Sequence, residues 1–437
     1  MSKDMNTLYF HHHIRPLLMA LVLFFASAFV LTSCHNDDDD DKLDNRTVLI
    51  YMAADNNLSA FVNSDMQQMF DGSLKVDKEK NNIIIFVDKP GEFPYFLEVS
   101  QGQHTMVKSC EVDMNTGSEQ TLHMAMQWAV EHYPAKSYGL VLWGHADGWI
   151  THDTRSETLS GDEQQQQMPT PSVPKRAYGV DNGSGKQWMD IPQMAASLAS
   201  LPHLKFIFAD CCAFQCVESA YELRNCADYI IASPAEIPGQ GAPYDTVVPA
   251  MFSQADDFYK GIVDAYFAQK TGGFDVPLSV VKTAEMESLA QATRTTLLSF
   301  VPSMEGGGRY PSVDHIIYYY DHTQFDMQDF MMHYATTDQF IEWKKAFDNA
   351  VVYRKMATEW LANHVVYLRS DYSGGFKDFT VTEERYGGMG MYVPQEASSV
   401  NIFDYPPMKL TFSIDALNTN IRKMQWYADA GLAEVGW

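Results

Sequence analysis

The sequence predicts an α/β protein with a mostly parallel central sheet covered by helices on both faces. Three observations predict it. Strand-like runs alternate with helix-like stretches through the first 275 or so residues. Each strand-like run is continuously apolar rather than alternating, as expected of strands buried on both faces. The 437 residues, 46% hydrophobic and 13% aromatic, supply enough core for one large domain or two ordinary ones.

The elements follow in order. TVLIYMAA (47–54) is a β-branched apolar run that stops at the turn-forming Asp55-Asn56-Asn57 and reads as a buried strand. The stretch 58–70 carries Leu58, Phe61, Val62, Met66, Met69 and Phe70 at helical spacing. NNIIIFVDKPG (81–91) is a second strand with its turn, HMAMQWAVEHY (123–133) a helix stopped by Pro134, and YGLVLWGH (138–145) a third strand. A polar segment of about thirty residues follows, including QQQQMPTPSVPKR (164–176), and reads as a mobile loop. WMDIPQMAASLASL (188–201) is helical, HLKFIFAD (203–210) a fourth strand, CVESAYELRN (216–225) a helix and ADYIIAS (227–233) a fifth strand. Beyond 275 the pattern loosens: 276–300 reads as strand then helix, helices are expected around DMQDFMMHYA and over 338–366, and MGMYVP (389–394) as a strand. The expected organisation is a main unit over 45–275 and a C-terminal extension over 276–437 packed on it.

The first 44 residues read as an address. PLLMALVLFFASAFVLTS (16–33) is the apolar core of a secretory signal, and it runs into Leu31-Thr32-Ser33-Cys34. That tetrad resembles a bacterial lipobox, with cleavage after residue 33 and lipidation of Cys34. An uncleaved membrane anchor is the rival reading. HNDDDDDK (35–42) then reads as a solvated tether over 34–44 and resembles the surface-export signal of some lipoproteins. The expected location is the cell envelope, anchored in the outer membrane and facing either the surface or the periplasm. A formal net charge of −25 speaks against nucleic-acid partners, which need Lys/Arg patches.

Five cysteines remain after Cys34: Cys110, Cys211, Cys212, Cys216 and Cys226. An odd number in an exported chain leaves at least one thiol unpaired. In open α/β sheets ligands bind at the carboxyl ends of the strands. His145 and Cys212 each lie just past such an end, which brings a nucleophile–base pair to one crevice. Cys212 also sits where strand gives way to helix, where unpaired N–H groups favour a thiolate. On local sequence alone three readings stay open: a nucleophile, small buried hydrophobes, or a metal or redox cluster. The spacing Cys-Cys-x3-Cys-x9-Cys lacks the C-x2-C pairing of structural zinc.

TVLIYMAADNNL (47–58), LVLWGHADGW (140–149) and DCCAFQCVESAYEL (210–223) together resemble the clostripain family of cysteine peptidases, in the caspase-like clan. The resemblance runs in order from about 45 to 395, more loosely through YYYDHTQFDMQDF and MGMYVP. It implies a caspase-like three-layer α/β/α sandwich and an endopeptidase working through Cys212 and His145 and an acyl-enzyme. The register set by Glu218, Ala220, Tyr221, Glu222 and Leu223 makes Cys212 the nucleophile and Cys211 the stand-in for alanine. The backbone N–H groups of Cys212 and Ala146 are the expected oxyanion donors. Cleavage after Arg or Lys is implied, with Asp210, residue 240 and Ser233 at the substrate pocket. Some relatives are matured by cleavage between the His and Cys strands, where this chain offers Lys175-Arg176.

The chain departs from the family pattern in two places. Gly144-His145-Ala146-Asp147-Gly148-Trp149 replaces Asn-His-Gly-Ser-Gly-Trp, and Ala146 keeps its N–H. Gln240 stands where an aspartate is usual, which removes a charge-assisted contact worth about 1.5–3 kcal/mol and shifts the preference away from Arg and Lys. Glu236 nearby either compensates for the lost charge or is a surface residue, and reads as the latter. No cofactor is expected. Calcium activates some relatives, but no EF-hand loop is present, and Asp153 and Asp181 give no evidence of a site. The expected partner is a peptide or protein substrate met by a monomer. The alternative is a catalytically silent relative that binds peptides in the same cleft.

Overall fold

The computed structural model describes residues 45–151, 178–183, 187–269, 275–303, 310–320, 323–362, 365–367, 379–396, 399–405 and 408–437. The expectations for the signal segment, Cys34, the acidic tether, Asp153, Lys175 and Arg176 lie outside these residues. All that follows concerns the compact unit Asp44–Trp437.

Its first half lays down β1 (Arg46–Ala53), α1 (Ser59–Ser73), β2 (Asn81–Asp88), β3 (Tyr95–Ser100), β4 (Gln103–Ser109), α2 (Glu119–His132) and β5 (Tyr138–Trp143). A short hairpin, β6 (Tyr178–Asp181) and β7 (Gln187–Met189), precedes α3 (Ile191–Leu198), β8 (Leu204–Asp210), α4 (Val217–Glu222) and β9 (Ala227–Ala232). Then come α5 (Tyr244–Met251), α6 (Phe258–Ala268), β10 (Leu278–Lys282) and α7 (Met286–Phe300). The remainder contains β11 (Tyr318–Tyr320), β12 (Gln324–Asp326), α8 (Met327–Tyr334), α9 (Thr337–Ala350) and β13 (Val351–Lys355). Hairpin β14 (Trp360–Ala362) and β15 (Val365–Tyr367), β16 (Gly390–Met391), and hairpin β17 (Ser399–Tyr405) and β18 (Met408–Ser413) follow, with two helices, Ile414–Asn420 and Gln425–Asp429, near the end.

Nine strands form the central sheet in the order β13-β10-β9-β8-β5-β1-β2-β3-β4. The middle five (β9, β8, β5, β1, β2) are parallel, and antiparallel pairs extend both edges. The parallel strands are the continuously apolar runs: every residue of β1 and β5 is buried. Alternate residues feed two separate cores. Leu49, Tyr51, Leu140, Leu142 and Ile207 pack on one face with α2, α3 and α7. Val48, Ile50, Val141, Phe206 and Phe208 pack on the other with α1, α5 and α6. Helices on both faces make the α/β/α sandwich that the sequence predicts.

The sheet does not stop at residue 275, since β10 and β13 close one edge of it. The amphipathic stretch expected to be helical over 338–366 is a helix only to Ala350, where Val351-Val352-Tyr353 turns to strand and pairs with β10. Hairpin β3–β4 was not legible either. β4 (QHTMVKS) is an exposed edge strand whose composition is set by solvent rather than by a core.

Candidate active site

The sheet topology brings two loops to one edge. β5 and β8 are adjacent and parallel, with Trp143 opposite Asp210 in register. Two residues further along each chain lie His145 and Cys212.

Cys212 sits in a tight turn rather than at a helix start. α4 begins only at Val217 with Cys216 as its N-cap, so Cys212 lies four residues before that cap. The turn is held by the segment after β9: Ala213 N–H donates to Ala235 O (2.9 Å) and Gln215 N–H to Ser233 O (2.9 Å). The Ile237 N–H donates to Cys212 Sγ at 3.3 Å, and the thiol lies 3.7 Å from the Ile237 carbonyl, so both backbone polar groups of Ile237 meet the sulfur. Immediately after Cys212, Ala213 is buried with φ +54°, a left-handed conformation that costs a non-glycine residue about 1–3 kcal/mol.

Cys212 is half-buried, whereas Cys211 is 1% exposed and belongs to the core. Burial pushes the Cys211 thiol far above its usual range, raises Cys216 strongly, and lifts Cys226 to about 11. Cys110, partly exposed, is also raised, chiefly by burial. The five described cysteines form no disulfide.

His145 is anchored through its backbone, its carbonyl accepting from Gly179 N–H of β6 (2.9 Å). Its Nε2 lies 2.8 Å from Asn57 Oδ1, so Nε2 is the donor in this contact, and the ring sits beside that of Trp188 (6.3 Å between centroids). Asn57 was missed as a site residue, although it lies inside the TVLIYMAADNNL motif, in the turn after β1. Ala146 is buried and bridged to Tyr178 of β6.

Asp210 closes β8 and is buried against the α5–α6 face. Its carboxylate accepts from Ala242 N–H (2.9 Å), the Tyr244 hydroxyl (2.7 Å) and the Tyr266 hydroxyl (3.1 Å). Burial pushes this carboxyl up while the three donors pull it back. A second buried carboxylate stands near it. Asp65 of α1 accepts from Trp143 Nε1 at 2.8 Å and is pushed up to about 7 by burial, with the Asp210 charge adding to the effect. Both face Gly241: a Cβ there would lie 2.7 Å from Asp210 Oδ2 and 3.5 Å from Asp65 Oδ2. Asp65 was missed because, within a helix, it reads as a solvated surface position.

Three other residues singled out in the sequence are placed as follows. Gln240 is exposed. Ser233 is fully buried and its hydroxyl bonds the Ala235 backbone, so it braces its own turn instead of facing solvent. Glu236, expected on the surface, is buried at 4% exposure. Asp181 is engaged by the Thr116 N–H (2.9 Å), and among the described residues no three His, Cys, Asp or Glu side chains are arranged to hold a metal ion. Among those residues no helix is long and apolar enough to cross a membrane.

A mostly parallel α/β sheet covered by helices on both faces is the caspase-like sandwich of a cysteine peptidase fold. The chain belongs to the clostripain family (Peptidase_C11), whose model matches residues 50–426, and is thus a cysteine endopeptidase acting on peptides or proteins. It is similar to a secreted C11 cysteine protease from Bacteroides thetaiotaomicron, solved in complex with an irreversible peptide inhibitor. That likeness has 27% identity and a TM-score of 0.67, over 89% of this chain and 99% of the other. An inactive zymogen C11 protease from Parabacteroides distasonis matches at 27% identity and TM-score 0.68, over 89% and 98%. A second secreted C11 protease from B. thetaiotaomicron, at 16% identity and TM-score 0.66, shares the fold. A search of curated proteins found no match.

Proposed function

We propose that Cys212 and His145 are the catalytic dyad of this peptidase. The observation that carries the reading is their common position, two residues beyond the register pair Trp143–Asp210 at the carboxyl ends of adjacent strands. The Cys212 thiolate adds to the scissile carbonyl and forms a C–S bond. The carbonyl electrons move onto oxygen, which the Cys212 and Ala146 N–H groups receive. Collapse expels the amine, which takes a proton from His145. Water, giving a proton back to His145, then hydrolyses the thioester and frees Cys212. Asn57 orients the imidazole without touching substrate.

For specificity, in place of the shift away from Arg and Lys that Gln240 alone implies, we read a basic P1 side chain held by Asp210 with Asp65 beside it. Two buried carboxylates face one glycine, and all their hydrogen-bond donors are neutral groups. We read the whole chain as a monomeric lipoprotein anchored at Cys34 and needing no cofactor. The test is digestion of an unbiased peptide mixture by the wild type, His145→Ala and Asp65→Asn. Cuts after Lys and Arg that vanish in His145→Ala and lose their basic preference in Asp65→Asn support the reading. Cuts that survive His145→Ala contradict the dyad.

A further inference from the structure

The looser motif YYYDHTQFDMQDF contributes one side chain that reaches both loops of the site. Gln324, at the start of β12, is 0% exposed. Its Nε2 donates to the Ala213 carbonyl at 2.5 Å, across 111 residues of sequence. Ala213 is the left-handed residue directly after Cys212, so this bond holds the carbonyl of the turn's most strained position.

The same amide touches the histidine loop. Gly148, three residues past His145, has φ +64° and passes so close that a Cβ there would lie 2.5 Å from both Ala213 O and Gln324 Nε2. On the far side is Gly390 of β16, where a Cβ would meet Gln324 Oε1 at 2.7 Å. Gly390 itself donates from its N–H to Gln215 O at 2.9 Å, which ties the end of the Cys212 turn to the same C-terminal strand. Cysteine turn, histidine loop and β16 thus meet on one buried carboxamide.

We propose that Gln324 is a positioning residue for the peptidase reaction, fixing the Cys212 turn against the His145 loop through the Ala213 carbonyl. The proposal rests on the dyad reading above. A donor at this place keeps Ala213 in its left-handed conformation and so keeps Sγ at a constant distance from the imidazole. Without the donor, the Ala213 carbonyl is left buried and unsatisfied, and the turn relaxes away from the histidine loop.

The test compares the full chain with Gln324→Met, which keeps the shape and loses the donor, and with Gln324→Glu, whose carboxyl can donate only while protonated. Wild type and Cys212→Ala are assayed first. Cleavage that survives Cys212→Ala defeats the parent reading, and the proposal falls with it. Given cleavage that depends on Cys212, Gln324→Met is expected to lower kcat about tenfold with KM within about twofold, at temperatures well below its Tm. Iodoacetamide labelling of Cys212, which needs no turnover, should slow by about fivefold or more in the same variant. It provides the readout if the wild type cleaves no available peptide. A residue that only stabilised the fold would lower Tm and leave kcat and labelling unchanged in the folded protein. If Gln324→Met fails to fold, the Gln324→Glu activity relative to wild type should fall about fivefold or more between pH 5 and pH 8 as the donor is lost. An unchanged kcat and labelling rate in folded Gln324→Met, or a flat pH ratio in Gln324→Glu, overturns the proposal.

Discussion

His145 and Cys212 occupy equivalent places on neighbouring strands: each lies two residues past a position, Trp143 and Asp210, that is paired across β5 and β8. Adjacent strands are about 4.8 Å apart, so the pairing alone brings the two residues' backbone to the same sheet edge before any loop detail is considered. The loops then refine it, through Asn57 on the histidine and the Ile237 N–H on the sulfur.

The Asn57 contact makes a graded prediction. It is one exposed hydrogen bond that orients a ring, worth about 0.5–1.5 kcal/mol. Asn57→Ala should therefore lower kcat/KM by about two- to tenfold, where His145→Ala removes activity. Steady-state kinetics on one peptide checks this. A loss as large as that of His145→Ala would mean that Asn57 takes part in the chemistry itself.

Gly148 admits no side chain. Its left-handed φ and the two 2.5 Å approaches leave no room for a methyl group without moving backbone. Gly148→Ala is expected to cost about 2 kcal/mol or more of stability and to lower kcat more than about tenfold, because one displaced atom, Ala213 O, belongs to the Cys212 turn and the other, Gln324 Nε2, bonds it. Thermal unfolding together with kinetics at low temperature separates the two effects.

Asp65 should leave a mark on the pH dependence of stability. It holds its proton to about pH 7 in the folded protein, against 3.8 in an unperturbed chain. Between those values the unfolded state binds fewer protons, so this group's contribution is fully present below about pH 4 and is lost as pH rises through about 7. The full loss is on the order of 4 kcal/mol. Asp65→Asn carries no such charge, so its stability should decline less than the wild type's between pH 5 and pH 8. Denaturant unfolding at the two pH values measures this, and parallel declines would contradict it.

The elements that were legible in the sequence are those buried on both sides. β1, β2, β5, β8 and β9 have nothing but core around them, so their composition announces them, and their carboxyl ends marked His145 and Cys212. What was not legible depends on partners far away in the chain. β4 is exposed, β13 follows a helix without a break, and Glu236 and Ser233 are buried only because other segments cover them. Asp65 and Gln324 carry no local signal, since the neighbours that give them meaning, Asp210 and Ala213, are more than 100 residues away. The strained turn at Ala213 was equally hidden, because alanine does not advertise a left-handed backbone as glycine does.

The central claim is that Cys212, not its buried neighbour, is the reacting thiol. The most direct measurement digests a defined peptide mixture with the wild type, Cys212→Ala and Cys211→Ala under reducing conditions, with products read by mass spectrometry. The account predicts cuts that disappear in Cys212→Ala and persist in Cys211→Ala. Cuts that persist in Cys212→Ala, or that disappear in a folded Cys211→Ala alone, would contradict it.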